Sequence, residues 1–71
     1  MMTTLQIFAE RLKELRIDKK LSLPQLANII GVSHAAVSRW EHALQTPNIE
    51  YLALLANFFG VSADYLIGLE N

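Results

Sequence analysis

The sequence predicts an all-α fold, a compact domain of five short helices. Apolar residues recur three and four positions apart through most of the 71 residues, the spacing that aligns them on one face of a helix. Each of these stretches follows a Thr, Ser or Asn that can cap a helix, and several end at a glycine. No stretch alternates apolar and polar residues between hairpin turns, as a strand would.

Length and composition exclude several classes of protein. With 71 residues the chain is expected to form one domain, residues 1–71, with no room for a catalytic domain beside it. Hydrophobic residues make up 52% of the chain, enough for a core, and the absence of cysteine rules out disulfides. No apolar run approaches a membrane span, and residues 1–20 lack a secretory pattern. We therefore expect a soluble protein of the cytoplasm.

The first helix is predicted over residues 4–18. Thr3 and Gln6 can form a capping box at its start. Its core-facing residues have helical spacing: Leu5, Phe8, Leu12 and Leu15. The charged residues expected to point into water are Glu10, Arg11, Lys13 and Glu14. Residues 17–21 then form a connection that carries Lys19 and Lys20, either as solvated charges or as contacts to phosphate.

Two helices joined by a tight turn are predicted within residues 22–43. Ser22 and Gln25 form a second capping box, and Pro24 lies in the first turn, where its missing N–H removes no helical bond. The expected apolar stripe of this helix is Leu26, Ala27, Ile29 and Ile30. Gly31 ends the helix because glycine tolerates a left-handed backbone, and Ser33 caps the next one.

The third helix has two different faces. Its core face is predicted to hold Ala36, Val37, Trp40 and Leu44, and its outward face His34, Ala35, Ser38, Arg39 and His42. The outward face is small, hydrogen-bonding and singly basic, with no acidic residue. Such a face suits the base edges in the major groove of DNA, although an ordinary solvated helix face is the alternative.

Two more helices complete the chain, at about residues 49–59 and 63–68. Asn48 caps the fourth helix after a loop, and Gly60 ends it. This helix is apolar on two sides, one formed by Ile49, Leu52, Leu55, Ala56 and Phe59 and the other by Tyr51, Leu54 and Phe58. Ser62 caps the fifth helix, in which Tyr65, Leu66 and Ile67 are expected to close the core.

The sequence over about residues 8–68 resembles the xenobiotic-response-element (XRE) family of regulators, which includes the phage Cro and CI repressors. The matching residues are Leu12, Leu15, Arg16, Leu26, Ala27, Gly31, Val32, Ser33, Val37, Ser38, Arg39, Trp40, Glu41, Pro47, Leu52, Leu55, Ala56, Phe59, Gly60, Val61, Asp64, Tyr65 and Leu66. The resemblance implies a lambda-repressor-like domain whose second and third helices form a helix-turn-helix. It also implies a bacterial or phage transcription regulator that binds specific double-stranded DNA, with repression favoured over activation.

The resemblance assigns roles to individual residues. Base contacts are expected from His34, Ala35, Ser38 and Arg39. Phosphate contacts are expected from Leu23, Ser33, His42, Gln45, Thr46, Lys19 and Lys20. Arg16 and Glu41 are expected to form a structural ion pair between the first and third helices, and Trp40 to lie in the core.

Charge and departures from the family pattern predict few phosphate contacts. The net charge is −1, and although residues 1–46 hold six basic and four acidic residues, or +2, residues 47–71 hold only acidic ones, or −3. Leu23 occupies a position where many relatives carry a phosphate-binding glutamine. His42 and Ala43 replace a frequent asparagine and glycine, and the following loop is not basic. We expect a shallow salt dependence and weak binding by a monomer.

The sequence also predicts how the chain assembles and leaves a second function open. A homodimer on a near-palindromic operator is predicted, with the candidate face Tyr51, Leu54, Phe58, Ile67 and Leu69. The alternative is that the C-terminal tail covers this face. No nucleophile motif or phosphate loop indicates an enzyme, and His34 and His42 lack a third metal ligand, so no metal or cofactor is expected. The competing function is a protein–protein interaction module or an antitoxin-like partner protein on the same fold.

Overall fold

A computed structural model describes all 71 residues and contains five α-helices and no strand. The helices are α1 (Thr4–Asp18), α2 (Leu23–Ile30), α3 (His34–Glu41), α4 (Ile49–Phe59) and α5 (Ala63–Leu66). The predicted all-α class is therefore confirmed. None of the helices is long and apolar enough to cross a membrane.

All five helices start at the predicted caps. Thr3 and Ser22 each form a complete capping box, in which the side-chain oxygen accepts from the backbone N–H three residues later and a glutamine reaches back. Ser33, Asn48 and Ser62 cap the remaining helices with a side-chain oxygen. These local hydrogen bonds explain why helix starts can be located from the sequence.

The last helix ends earlier than predicted. It stops at Leu66, and the expected extension to residue 68 is wrong. Gly68 has φ +86°, in the left-handed region, and the Leu69 N–H donates to the Asp64 carbonyl at 2.8 Å. This turn satisfies the free carbonyl groups at the helix end and reverses the chain.

A single core joins the five helices. Five side chains are the largest that are completely buried, and each helix supplies one: Leu12, Leu26, Val37, Leu55 and Leu66. Phe8, Trp40 and Phe59 surround them and are also buried. Because every helix contributes to one contact network, the orientation of α3 depends on all the others.

Three residues predicted for the core are exposed instead. Ile29 is 48% exposed, because it lies at the edge of an apolar stripe whose centre is already filled by Leu26 and Ile30. Leu44 is 73% exposed, since the chain turns at Ala43 and helical spacing no longer applies. Ile49 is 80% exposed, because it is the first residue of α4 and lies at the helix end rather than over the core.

The charge pattern predicted that Arg11 points into water, and this prediction is wrong. The Arg11 guanidinium lies over the Tyr65 ring, 4.4 Å from the ring centroid. It also donates to the carbonyl oxygens of Tyr65 and Glu70, the latter at 2.6 Å. Ser62 donates to the Glu70 carboxylate as well. The C-terminal residues are thereby held against α1 and the start of α5.

Candidate nucleic-acid interface

The helices α2 and α3 pack against each other and are joined by a three-residue turn. Gly31 adopts φ +90°, a conformation that costs most other residues energy. The N–H groups of Gly31 and Val32 both donate to the Ala27 carbonyl, at 2.8 and 3.0 Å. Ser33 then caps α3 by accepting from the Ala36 N–H at 3.2 Å. The turn therefore fixes where α3 begins.

The inner face of α3 is held by the core. Val37 and Trp40 are buried, and the Trp40 ring packs on Tyr51 of α4 with 5.9 Å between ring centroids. Trp40 is thus a core residue, as predicted, and its ring is not available to stack on a base.

An ion pair braces α3 against α1. Arg16 donates from Nε to Glu41 Oε2 at 2.6 Å and from Nη2 to Glu41 Oε1 at 2.9 Å. Its Nη1 donates to the Leu21 carbonyl at 2.8 Å, which ties the connection between α1 and α2 to the same group. The side chains of Arg16 and Glu41 are only 13% and 3% exposed. The hydrogen bonds to Glu41 raise the pKa of Arg16 above its ordinary value by more than partial burial lowers it.

The four predicted base-reading residues lie on one accessible face. His34, Ala35 and Arg39 are exposed and Ser38 is half-buried. Glu41, the acidic residue of α3, is turned away into its pair with Arg16. The face therefore presents an imidazole, a methyl, a hydroxyl and a guanidinium with no carboxylate among them.

Two contacts on this face are not evident from the sequence. Arg39 donates from Nε to Gln45 Oε1 at 2.8 Å. His42 Nδ1 lies 2.7 Å from the Ser38 carbonyl oxygen, and since a carbonyl only accepts, Nδ1 carries the proton. In the neutral ring, Nε2 is then an acceptor. The spacing of Ser38 and His42 on one helix face could have suggested the second contact, whereas Arg39 and Gln45 meet across a chain reversal.

The residues predicted to contact phosphate differ in exposure and in position. Ser33, His42, Gln45 and Thr46 are exposed around α3. Leu23 is half-buried against the core, so only its backbone N–H, in the first turn of α2, can serve an anion. Lys20 is exposed, and Lys19 places its ammonium 5.0 Å from the centroid of the Phe58 ring on α4. The Lys19 ammonium thus lies over a ring of α4.

The candidate dimer face is only partly covered. Tyr51 and Phe58 are half-buried, Tyr51 against Trp40 and Phe58 edge-on to Phe59 with 4.9 Å between centroids. Leu54 is 47% and Leu69 73% exposed, while Ile67 is half-buried. The C-terminal tail bonds to Arg11 and Ser62 and leaves Leu54 exposed, so the predicted alternative, a tail folded over this face, is wrong for Leu54.

The chain is similar to known regulators over most of its length. Residues 12–66 match the family described as Helix-turn-helix. The HTH-type transcriptional activator BcrR of Enterococcus faecalis is 41% identical over 64 residues, which cover 90% of this chain and 31% of the activator. The chain spans about half the length of several other curated relatives.

Solved structures show the same architecture. The c2 repressor of phage P22, crystallised in complex with a synthetic operator, aligns with a TM-score of 0.83 and 33% identity over 89% of this chain and 96% of the repressor chain. The restriction-modification controller protein C.AhdI of Aeromonas hydrophila aligns with a TM-score of 0.78 and 29% identity over 87% of this chain and 94% of the controller chain.

The packed α2–turn–α3 unit, with its outer face accessible and its inner face in the core, is a helix-turn-helix in a lambda-repressor-like domain. The predicted fold is confirmed in this detail. The chain belongs to the helix-turn-helix family of XRE regulators and phage repressors.

Proposed function

We propose that this chain binds duplex DNA in a sequence-specific way, with α3 in the major groove, and represses transcription from sites beside promoters. The observation that carries the proposal is the accessible, carboxylate-free face of α3, which the core and the Arg16–Glu41 pair hold in place from behind. The alignment with a repressor crystallised in complex with a synthetic operator supports DNA binding by this fold.

Each side chain of this face has a chemical counterpart in the groove. The Arg39 guanidinium can make two hydrogen bonds to O6 and N7 of one guanine, a contact worth roughly 1–3 kcal/mol of discrimination. Ala35 can pack against a thymine methyl group. His34 and Ser38 can donate or accept, so they fit more than one base.

Phosphate contacts come mainly from neutral groups in this proposal. The N-termini of α2 and α3 direct free N–H groups, including that of Leu23, and a positive dipole end outward, where a phosphate can accept. Ser33, Gln45 and Thr46 add neutral donors. Lys19, Lys20 and, when protonated, His42 are the cations we propose at the backbone. In the structure the Lys19 ammonium lies over the Phe58 ring.

We further propose that two copies bind together. Leu54 and Leu69 are exposed apolar residues in the C-terminal half of the chain. In this proposal a two-fold dimer through that half places two α3 helices roughly 34 Å apart, one DNA turn. Such a dimer requires a near-palindromic site. DNA as the partner places the proposed activity in the bacterial cytoplasm, and the proposal includes no catalytic step.

Selection of bound sequences from a random DNA pool tests this function. Enrichment of a near-palindrome with a guanine in each half-site is the expected result. Recovery of DNA with no enriched sequence, or no recovery at low salt, would contradict it and favour the protein–protein interaction module.

A further inference from the structure

We infer that Gln45 is a positioning residue for Arg39 and thereby sets the base preference of the reading helix. This inference rests on the proposed function of α3, and it gives Gln45 a role beyond that of a phosphate contact. The observation is the 2.8 Å hydrogen bond from Arg39 Nε to Gln45 Oε1, between two exposed side chains six residues apart.

The bond restrains a flexible side chain without neutralising it. An arginine side chain has many rotamers, and this conformational freedom must be lost when the guanidinium is fixed in the groove. The one salt bridge of the chain joins Arg16 and Glu41. No carboxylate therefore lies within salt-bridge distance of Arg39. A neutral amide therefore orients the guanidinium and leaves its full charge for the electronegative groove.

The bond also selects which edge of the guanidinium is free. The group has five N–H donors in a rigid plane, and Gln45 occupies the one on Nε. The two Nη groups at the far end remain available as a parallel pair. Arg39 is thus prepared to read O6 and N7 of a guanine end-on, by its two Nη groups.

The backbone turn after α3 brings Gln45 into this position. Ala43 adopts φ +57° and reverses the chain, and the Leu44 N–H donates to the Arg39 carbonyl at 2.9 Å. Gln45 therefore returns alongside the last turn of α3, next to the side chain it orients. Helical periodicity does not place these two residues together, so the pair is a property of the turn.

The test measures discrimination rather than affinity alone. The probe is a duplex carrying the site selected by the wild-type chain, compared with the same duplex in which the guanine read by Arg39 is replaced. The variant is Gln45→Met, which keeps the length of the side chain and removes its acceptor, and Thr46→Val is the matched control on the same loop. Arg39→Ala should abolish discrimination of about 5- to 150-fold at that base. Gln45→Met should lower it several-fold in the wild-type background and not at all in the Arg39→Ala background.

A phosphate contact behaves differently, because it weakens binding to all sequences alike and leaves the discrimination ratio unchanged. If Gln45→Met lowers affinity uniformly, or changes nothing, the inference is overturned. Thr46→Val removes a proposed phosphate contact on the same loop, so it should weaken binding to both duplexes alike and leave the discrimination ratio at its wild-type value.

A second measurement on the free protein separates this inference from the proposed function. Solvent exchange of the Arg39 Nε–H, followed by NMR, should be slower in the wild type and in Thr46→Val than in Gln45→Met. Equal exchange rates would overturn the inference even if the wild type selects a DNA sequence. If the wild type selects none, the proposed function fails, and the exchange measurement still decides whether the Arg39–Gln45 bond exists.

Discussion

His42 carries an imidazole proton whose position follows from its surroundings. Nδ1 donates to the Ser38 carbonyl at 2.7 Å, so the neutral ring presents only the Nε2 lone pair to the outside. A phosphate oxygen also only accepts. The proposed phosphate contact of His42 therefore requires the protonated ring, in which Nε2 donates.

The Arg16–Glu41 pair is the side-chain contact that holds α3 against α1. Arg16→Met should destabilise the fold by about 3–5 kcal/mol, because Glu41, 3% exposed, would keep an uncompensated buried charge. Urea denaturation followed by circular dichroism gives the free energy of unfolding. The double variant Arg16→Met with Glu41→Leu should recover most of the loss, since an apolar pair needs no charge partner. A double variant no more stable than Arg16→Met would contradict this account.

At the scale of the helices, the first residue of each helix could be predicted from the sequence, but the exposure of several side chains could not. A cap such as Ser22 with Gln25 involves residues three apart, so its signal is local in the sequence. Exposure of Ile29 or Ile49 depends on which neighbouring helix lies over it, and Arg11 meets Tyr65 from 54 positions away. Such contacts have no local signature in the sequence. The outward face of α3 could be predicted because it follows from helical spacing, whereas the bond from Arg39 to Gln45 depends on the chain reversal at Ala43 and could not.

The C-terminal end of α3 stores backbone strain at Ala43. This residue has φ +57°, and a left-handed conformation costs a residue with a Cβ about 1–2 kcal/mol. Ala43→Gly removes that cost, while the greater freedom of glycine in the unfolded chain returns roughly 0.4–1 kcal/mol. The variant should be more stable by about 0.5–1 kcal/mol in urea denaturation.

Ala53→Gly is the matched control for Ala43→Gly. Ala53 is exposed within α4, where glycine should cost about 1 kcal/mol of stability. Loss of stability in both variants would show that Ala43 is not strained.

At the scale of the whole molecule, the distribution of charge limits the electrostatic part of DNA binding. The net charge is −1, and three lysine and arginine side chains are proposed at the DNA surface: Lys19, Lys20 and Arg39. With a slope of about −0.9 for each neutralised phosphate, log affinity should fall against log salt no more steeply than about −3 for one protomer and about −5 for a dimer. Titrations from low to moderate salt measure the slope. A slope near −10, as in a strongly basic repressor, would require a cationic surface that this structure lacks.

The affinity for DNA should depend most on dimer formation. A protomer with few ionic contacts gains little binding free energy from the DNA backbone alone. The face that pairs two copies is proposed to centre on Leu54, which α4 leaves 47% exposed. Leu54→Glu should keep the chain monomeric in sedimentation experiments at concentrations where the wild type dimerises. It should weaken binding to the palindrome while leaving binding to an isolated half-site unchanged.

The control for this prediction is Ile49→Glu, since Ile49 is 80% exposed on the same helix but outside the proposed face. A glutamate there should leave both assembly and palindrome binding as in the wild type, because the added charge remains in water on each copy. Two results would contradict the dimer through Leu54: a wild type that stays monomeric at high concentration with equal operator affinity in Leu54→Glu, or loss of assembly in Ile49→Glu alone. The second result would move the interface to the start of α4, beside the turn that follows the reading helix.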